Sequence, residues 1–550
     1  MKYSKMQKFL CIILALGMMI SLGACGAGNK DAAAQNSTQT SVAAESTAAA
    51  EPTAVDQYGK YEPGITLTSV KATLAGWTYP EGEDISNNIF TKEFEKELGI
   101  KVNYDWIVDA AQYYNKLNLS ITSGDIPDFF LTNTSKTFID LAKAGKLADL
   151  TEIFDEYASP EMKESFASVP EQIDSAIIDG RLMAVPCTAG LITTPQVAWI
   201  RDDWMQKSGL SAPKTMDELI TMAKTFQSMN PNSYGLAVIK DLDVGIDIAS
   251  IIGFANGYHA YPSIWIKDAS GQIAFGSIQP EMKTVLLALQ KLYKEGVLSK
   301  EFGIKDANKV NEDMVSGKVG IEFGANWNCY FPFPDAVKKD PNAIWKPYPI
   351  PSADEKPVMG QSQWPVYRYF VVSKDCKYPE AVIKMANHFM RFYPTLDPAK
   401  TNNLDAQNAP VFYGDPRSDE DNYLKIAPAI DKKDPSQLSP SQKITYDVAM
   451  KWVDSKDPNS YGTYYQLSSE GSFAILKKFV DEDRIVLTAL HGPEPDIYGE
   501  KKGTLQKLEL DAFTKIIMGE SIEKFDEFVA NWKKLGGDES TKEINDLYNK

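Results

Sequence analysis

The chain has 550 residues, with 57 lysines and arginines against 74 aspartates and glutamates, for a formal net charge of -17. That balance argues against nucleic acid as a partner, because phosphate binding needs a basic surface. Hydrophobic residues at 43% match ordinary globular usage, while 3 His and 5 Cys leave little material for multi-histidine metal sites or a disulfide-dense scaffold.

In chain order, Lys2, Lys5 and Lys8 precede an apolar run from Phe9 to Leu22, the pattern of a secretory signal over residues 1–24. The run is shorter than the roughly 20 apolar residues that a bilayer span takes. It ends Leu22-Gly23-Ala24-Cys25, which resembles the lipobox of bacterial lipoproteins, in which the cysteine is lipidated and becomes the new N-terminus. An ordinary signal with Cys25 incidental is the alternative. Loss of the signal removes three lysines and no acid, taking the charge from -17 to -20. From Gly26 to about Val55 the chain is mostly Ala, Ser, Thr, Gln and Glu, too polar to offset the entropy of folding. Residues 25–60 therefore read as a lipid-anchored flexible linker, with an r.m.s. reach of about 30 Å.

Beyond the linker, strands and helices alternate. Thr68 to Ala75 reads as a strand, Asn87 to Leu98 as a helix closed by Gly99, and Ile100, Val102, Tyr104 and Trp106 recur at the strand period of two. A helix follows from Ala110 to Ser123, then a buried strand at Asp128 to Leu131 and a helix from Lys136 to Ala144. Such β-α-β units predict a mostly parallel sheet with helices on both sides. A second region begins near Val197. Thr215 and Glu218 form a capping box before the stripe Leu219, Met222, Ala223 and Phe226. Pro280 opens a helix closed by Gly296, Val319 to Phe323 and Phe370 to Ser373 read as strands, and Pro379 starts a helix. Thr395 to Ser441 is acidic and proline-rich with weak periodicity, and is expected to be a surface excursion. Leu505 to Met518 and Ile522 to Leu535 predict two amphipathic helices. Cys187, Cys329 and Cys376 are far apart and without C-x-x-C spacing, which favours buried thiols over a zinc or redox site; one disulfide is the alternative.

Three segments carry a family resemblance: Ser123-Gly124-Asp125-Ile126-Pro127-Asp128-Phe129-Phe130, Ala144-Gly145-Lys146-Leu147-Ala148-Asp149-Leu150-Thr151, and Asp179-Gly180-Arg181-Leu182-Met183-Ala184-Val185-Pro186. Ile200-Arg201-Asp202-Asp203-Trp204, Leu292-Tyr293-Lys294-Glu295-Gly296, Ile517-Met518-Gly519-Glu520 and Trp532-Lys533-Lys534-Leu535-Gly536-Gly537 follow in order. Together they resemble family 1 bacterial extracellular solute-binding proteins, the sugar-binding lipoproteins of ABC importers, in their longer, oligosaccharide-associated branch. Asp128 also has a plain reading as the cap of a helix-to-strand turn. The resemblance implies an α/β, periplasmic-binding-protein-like type II fold: two α/β lobes with a ligand cleft and a hinge that closes on binding. Lobe 1 is expected at 61–188 plus about 362–400, and lobe 2 at 189–361 plus about 401–550. The implied partners are an oligosaccharide ligand, ABC transporter permease subunits and the membrane through a lipid anchor. A monomer on the extracytoplasmic face of the cell membrane is expected, with no nucleic acid and no cofactor. Some relatives carry a calcium loop of the Asp-x-Asn-x-Asn-Gly type; here Ser228 to Gly235 holds no acid, so no metal is expected.

In such a fold, loops at the carboxyl ends of the strands line the crevice. They contain Trp77 and Tyr79, Asn133 and Thr134, Thr188, Trp327 and Asn328, with Trp364 near the return crossing. Sugars offer apolar ring faces and a hydroxyl rim, which flat aromatics beside amides and hydroxyls can hold. Tyr258, His259, Trp265 and Trp452 are further candidates on unplaced segments. Each aromatic has a plainer reading as a packing residue. The sequence lacks a G-x-S-x-G elbow, H-E-x-x-H, a Walker loop and G-x-G-x-x-G. A binding protein that is not an enzyme is the preferred reading. A lipid-anchored glycoside hydrolase, or a lipoprotein binding or sensing peptides or organic acids, is the alternative.

Overall fold

The computed structural model describes residues 55–549 except 74–76, 78, 133–134, 230–231, 243–247, 397–405 and 492–493. The expected signal, Cys25 and most of the linker lie outside the described residues, as do Asn133 and Thr134. Among the described residues, no helix is long and apolar enough to cross a membrane.

The first lobe is built on β1 (Ile65–Thr73), β2 (Ile100–Asp109), β3 (Phe129–Thr132) and β4 (Val185–Thr188). β1 and β2 pair in parallel, with Leu67 opposite Val102. On its other side β1 is stitched to β3 by side chains. The Thr68 amide donates to Asp128 Oδ2 at 2.7 Å, the Asp128 amide donates back to Thr68 Oγ1 at 3.0 Å, and Ser69 Oγ donates to the Phe129 carbonyl at 2.9 Å. Asp128 of the Gly-Asp-x-Pro-Asp segment thus spends its carboxylate on the neighbouring strand. Helices α1 (Ala110–Ser123) and α2 (Ser135–Lys143) follow β2 and β3.

The second lobe holds β5 (Val197–Arg201), α3 (Met216–Met229), β6 (Tyr234–Leu236), β7 (Val319–Gly324) and β8 (Trp345–Tyr348). The strand order is β8-β5-β7-β6, with β6 and β7 parallel and the others antiparallel. The period of two divides this sheet's side chains between two cores. Ala198, Ile200 and Ile321 pack on one face with α3 and the C-terminal helices; Val197, Trp199 and Val319 pack on the other with Phe333 and Trp345. Half of the expected capping box forms, with the Glu218 amide donating to Thr215 Oγ1 at 3.2 Å, while the Glu218 carboxylate accepts from the Lys214 amide one residue before the N-cap rather than from Thr215.

After the second lobe, β9 (Gly360–Ser362) leads into β10 (Val366–Val372), which lies antiparallel between β3 and β4. Helix α4 (Glu380–Phe392) then packs on the first core. The expected surface excursion from Thr395 is corrected at this point. Ala409, Val411, Phe412 and Tyr413 are buried in the first core, past the crossing expected at about residue 400. Helix α5 (Ser418–Lys432) returns to the second lobe and buries Ile426, Ala429 and Ile430. Pro428 inside α5 and four acids along it obscure its apolar period.

Further elements complete the second lobe: α6 (Pro440–Ser455), β11 (Ile485–Leu487) and α7 (Asp496–Ile517), α8 (Glu523–Trp532) and α9 (Asp538–Tyr548). β11 pairs in parallel with β9. Three chain crossings join the lobes side by side. The Ala189 amide donates to the Pro365 carbonyl at 3.0 Å. Gly190 lies so close to the third crossing that a Cβ there would sit 2.3 Å from the Pro416 carbonyl oxygen. Arg417 fastens that crossing, donating to Asp415 Oδ2 at 2.6 Å and to Glu164 Oε1 of the first lobe at 2.9 Å. Cys187, Cys329 and Cys376 are free and buried.

Candidate ligand-binding crevice

β2 and β3 lie on opposite sides of β1, so the chain reverses its direction of winding at β1. Ligands of open α/β sheets sit at the carboxyl ends of the strands beside such a switch point. A pocket of about 110 Å³ occupies that place, lined by Lys71, Trp77, Tyr114, Arg368, Gln407 and Phe412 among others. β1 contributes Lys71, whose ammonium donates to the Ala409 carbonyl at 2.6 Å. β10 runs antiparallel to β3, so its first residues reach the same edge, and Arg368 there donates to Gln407 Oε1. Arg368 offsets part of the rise that burial imposes on the Tyr113 and Tyr114 hydroxyls, so its positive field reaches across the pocket. Tyr79, beside Trp77 in sequence, donates to Asn408 Oδ1 at 2.7 Å and packs on the first core. Thr188 ends β4 opposite Val366 and is nearly buried.

In the second lobe, the strand end of β7 runs into a 3₁₀ turn, Asn326–Tyr330. With about three residues per turn, positions three apart share a face. Trp327 and Tyr330 accordingly point outward, with Trp327 39% exposed, while Asn326, Asn328 and Cys329 turn inward. The turn stands against the first crossing, because Asn326 Nδ2 donates to the Thr193 carbonyl at 2.8 Å. Gln466 braces it, accepting from Tyr330 Oη at 3.0 Å and donating to Asn326 Oδ1 at 2.8 Å. Beneath it lies Glu322 of β7, fully buried. It accepts from Asn328 Nδ2 at 2.9 Å and from the Ala249 amide at 2.8 Å. Burial raises its carboxyl from 4.5 to about 7, and the two donors only partly oppose that rise.

The remaining sequence candidates fall elsewhere. Trp364 lines a separate volume of about 800 Å³ that Glu171 and Ser175 bound from the first lobe and His491 and Tyr548 from the second. Its ring lies 5.5 Å from that of His491. Tyr258 packs against Phe254 on the second core, and His259 Nε2 pairs with Asp354 Oδ1 at 2.9 Å. Trp265, 2% exposed, sits among Phe275, Tyr498 and Trp532; Trp452, 1% exposed, packs edge-on against Tyr461. Asn328 and these two tryptophans, expected as ligand contacts, are buried among their neighbours and line neither volume. Lys71, Tyr114, Arg368 and Gln407 line the switch-point pocket and were not among the sequence candidates. Arg368, two residues before the apolar Phe370 on a strand returning to the crevice edge, carried a readable signal. Lys71 carried none.

Among the described residues no three His, Cys, Asp or Glu side chains gather in a metal-holding group. The expected absence of calcium concerns Ser228 to Gly235, of which residues 230–231 lie outside the described residues.

Two α/β lobes joined by three adjacent crossings define a type II periplasmic binding protein, the fold that the sequence resemblance implied. Residues 79–393 match the profile of the family described as bacterial extracellular solute-binding protein, and the chain belongs to that family. It is 25% identical over 471 residues to lipoprotein LipO of Bacillus subtilis (strain 168), covering 83% of this chain and 88% of that one. It is 26% identical over 241 residues to the polygalacturonan/rhamnogalacturonan-binding protein YtcQ of the same strain, covering 42% of this chain and 46% of the relative. Among solved structures, alginate-binding protein AlgQ2 without calcium ion superposes with a TM-score of 0.61 at 18% identity, over 90% of this chain and 99% of that one. FusA of Streptococcus pneumoniae in complex with kestose gives 0.58 at 15%, over 88% and 99%. This chain is also 27% identical over 261 residues to the fructooligosaccharide ABC transporter substrate-binding protein FusA of Streptococcus pneumoniae serotype 4, covering 45% of this chain and 44% of the relative.

Proposed function

We propose that this protein is the lipid-anchored, extracytoplasmic receptor of an ABC importer, that it captures an oligosaccharide between its lobes, and that it presents the closed form to a membrane permease. The observation that carries the reading is the placement of two open aromatic surfaces at strand ends beside the crossings. Trp77 stands with polar neighbours at the switch point of the first lobe, and Trp327 with Tyr330 on the turn braced against the first crossing. Flat rings with amides and hydroxyls at their edges suit sugar faces and rims. Relatives named for fructooligosaccharide and for polygalacturonan binding support the ligand class. In this reading Cys25 carries the lipid, the linker tethers a monomeric body, and no reaction is catalysed.

Calorimetry of the full-length chain against a panel of oligosaccharides tests the proposal. Binding without change of the sugar is expected, and Trp327→Ala should weaken it by about 1 to 3 kcal/mol, comparable to other ring-stacking contacts. Release of a shortened product, or silence toward every saccharide with binding of peptides or organic acids, would remove the sugar receptor and leave the fold standing.

A further inference from the structure

The switch-point pocket differs in charge from the chain that builds it. The protein carries a net charge of -17, yet the described lining of the pocket contains Lys71 and Arg368 and no aspartate or glutamate. Both cations are set in place rather than waving in solvent. Lys71 is buried and anchored to the Ala409 carbonyl, and half-buried Arg368 is held by Gln407. Around them stand Trp77, Tyr114 and Phe412, whose apolar faces lower the local dielectric and so strengthen a charge-assisted hydrogen bond. A guanidinium offers a planar fork of donors that matches a carboxylate, and an ammonium adds a point charge from the side. At about 110 Å³ the pocket is too small for an oligosaccharide, whose sites run to roughly 300 Å³ and more. It fits one charged substituent of a ligand lying along the crevice.

We infer that this pocket is a carboxylate subsite and that the natural ligand is an acidic oligosaccharide, one built from or ending in uronic acid. The inference rests on the sugar-receptor reading above and adds to it the charge class of the ligand and the residues that select it. Arg368 supplies the paired donors, Lys71 the second cation, and Trp77 a ring for the sugar face beside the carboxylate.

The ligand and the protein can be altered separately. Trisaccharides of galacturonate and of mannuronate, each as free acid and as methyl ester, are titrated into the full-length chain with maltotriose and cellotriose as neutral controls. Esterification removes the charge and keeps the sugar skeleton. An acid trisaccharide is expected to bind about ten- to a hundredfold more tightly than its ester, the range of a hydrogen bond to a charged group. Arg368→Gln should abolish that ratio, Arg368→Lys should restore part of it, and added salt should shrink it. The ester comparison needs no variant, so it decides the matter even where Arg368→Gln fails to fold. Equal affinity for acid and ester, or binding of neutral trisaccharides alone, overturns the carboxylate subsite and leaves the sugar receptor intact. No binding of any saccharide overturns both.

Discussion

Glu322 gives the sharpest physical test of the structure. It sits on the central strand β7 with no exposed surface, under the turn that presents Trp327. Its carboxyl titrates near 4.5 when exposed and is lifted to about 7 by burial. Below pH 4.5 the group is protonated in both folded and unfolded chains, and it adds no pH dependence. Between 4.5 and 7 the unfolded chain has released the proton while the folded chain keeps it, so the unfolded state binds fewer protons and stability falls as pH rises. The slope is about 1.4 kcal/mol per pH unit, and the whole window amounts to about 3 kcal/mol. Above 7 the carboxyl is ionised in both states and the loss is complete. Glu322→Gln keeps the shape and removes the titration, and Asn328 can turn its amide to present oxygen to the new side-chain NH₂. Urea unfolding of the two proteins at a series of pH values from 4.5 to 8 isolates the effect, because every other titrating group cancels in the difference. The wild type should lose about 3 kcal/mol relative to the variant across the window and then run parallel to it. A difference that stays flat with pH, or that moves the other way, would refute the burial of a carboxylic acid at this position.

Trp452→Ala should cost about 3 to 5 kcal/mol in the same unfolding assay, as expected for emptying a buried aromatic site, with ligand affinity of the folded fraction unchanged. A loss of affinity with full stability would instead return Trp452 to the crevice. Burial holds the thiols of Cys187 at about 12 and Cys376 at about 11, and raises that of Cys329 further. All three should therefore resist iodoacetamide at pH 8 in the native protein and react in denaturant, as mass spectrometry of the peptides would show. Labelling of Cys187 or Cys329 under native conditions would contradict their packing.

The sequence made the first lobe legible because its elements announce themselves locally. Ile100 to Trp106 alternate at the strand period, and Gly99 ends the preceding helix at φ 66, where a Cβ would sit 2.6 Å from the Tyr61 carbonyl oxygen. The segment from Thr395 misled for a physical reason: Ala409 to Tyr413 is too short to show a period, and its burial comes from the first core closing over it. At the crevice, Trp327 and Asn328 are sequence neighbours with opposite fates. The 3₁₀ turn that separates them is a tertiary feature, fixed by Gln466 and the Thr193 carbonyl. Lys71, Arg368 and Gln407 meet only because β10 returns antiparallel to the crevice edge and the chain passes there again before the third crossing. Nothing in their spacing foretells the meeting.

That meeting bears on how a ligand could move the lobes. Arg368 lies on the strand entered from the second crossing, and Gln407 and Phe412 on the segment that runs out into the third, where Arg417 fastens the backbone to Glu164. The pocket is therefore lined by residues of the segments that leave the second crossing and lead into the third. Long-range repulsion from the acidic chain is screened beyond about 8 Å at physiological salt, so an anion entering the pocket feels Lys71 and Arg368 before it feels the net charge. A ligand shifts an equilibrium only by its differential affinity, and driving lobes from 1:99 to 99:1 takes about 5.5 kcal/mol. Lys71, Arg368 and Gln407 all belong to the first lobe, so hydrogen bonds made in the pocket form alike in the open and closed states and add affinity without driving closure. On the proposed reading, the carboxylate subsite selects the ligand and fixes it on the first lobe, and the free energy of closure comes from contacts the bound sugar makes with the second lobe, Trp327 first among them.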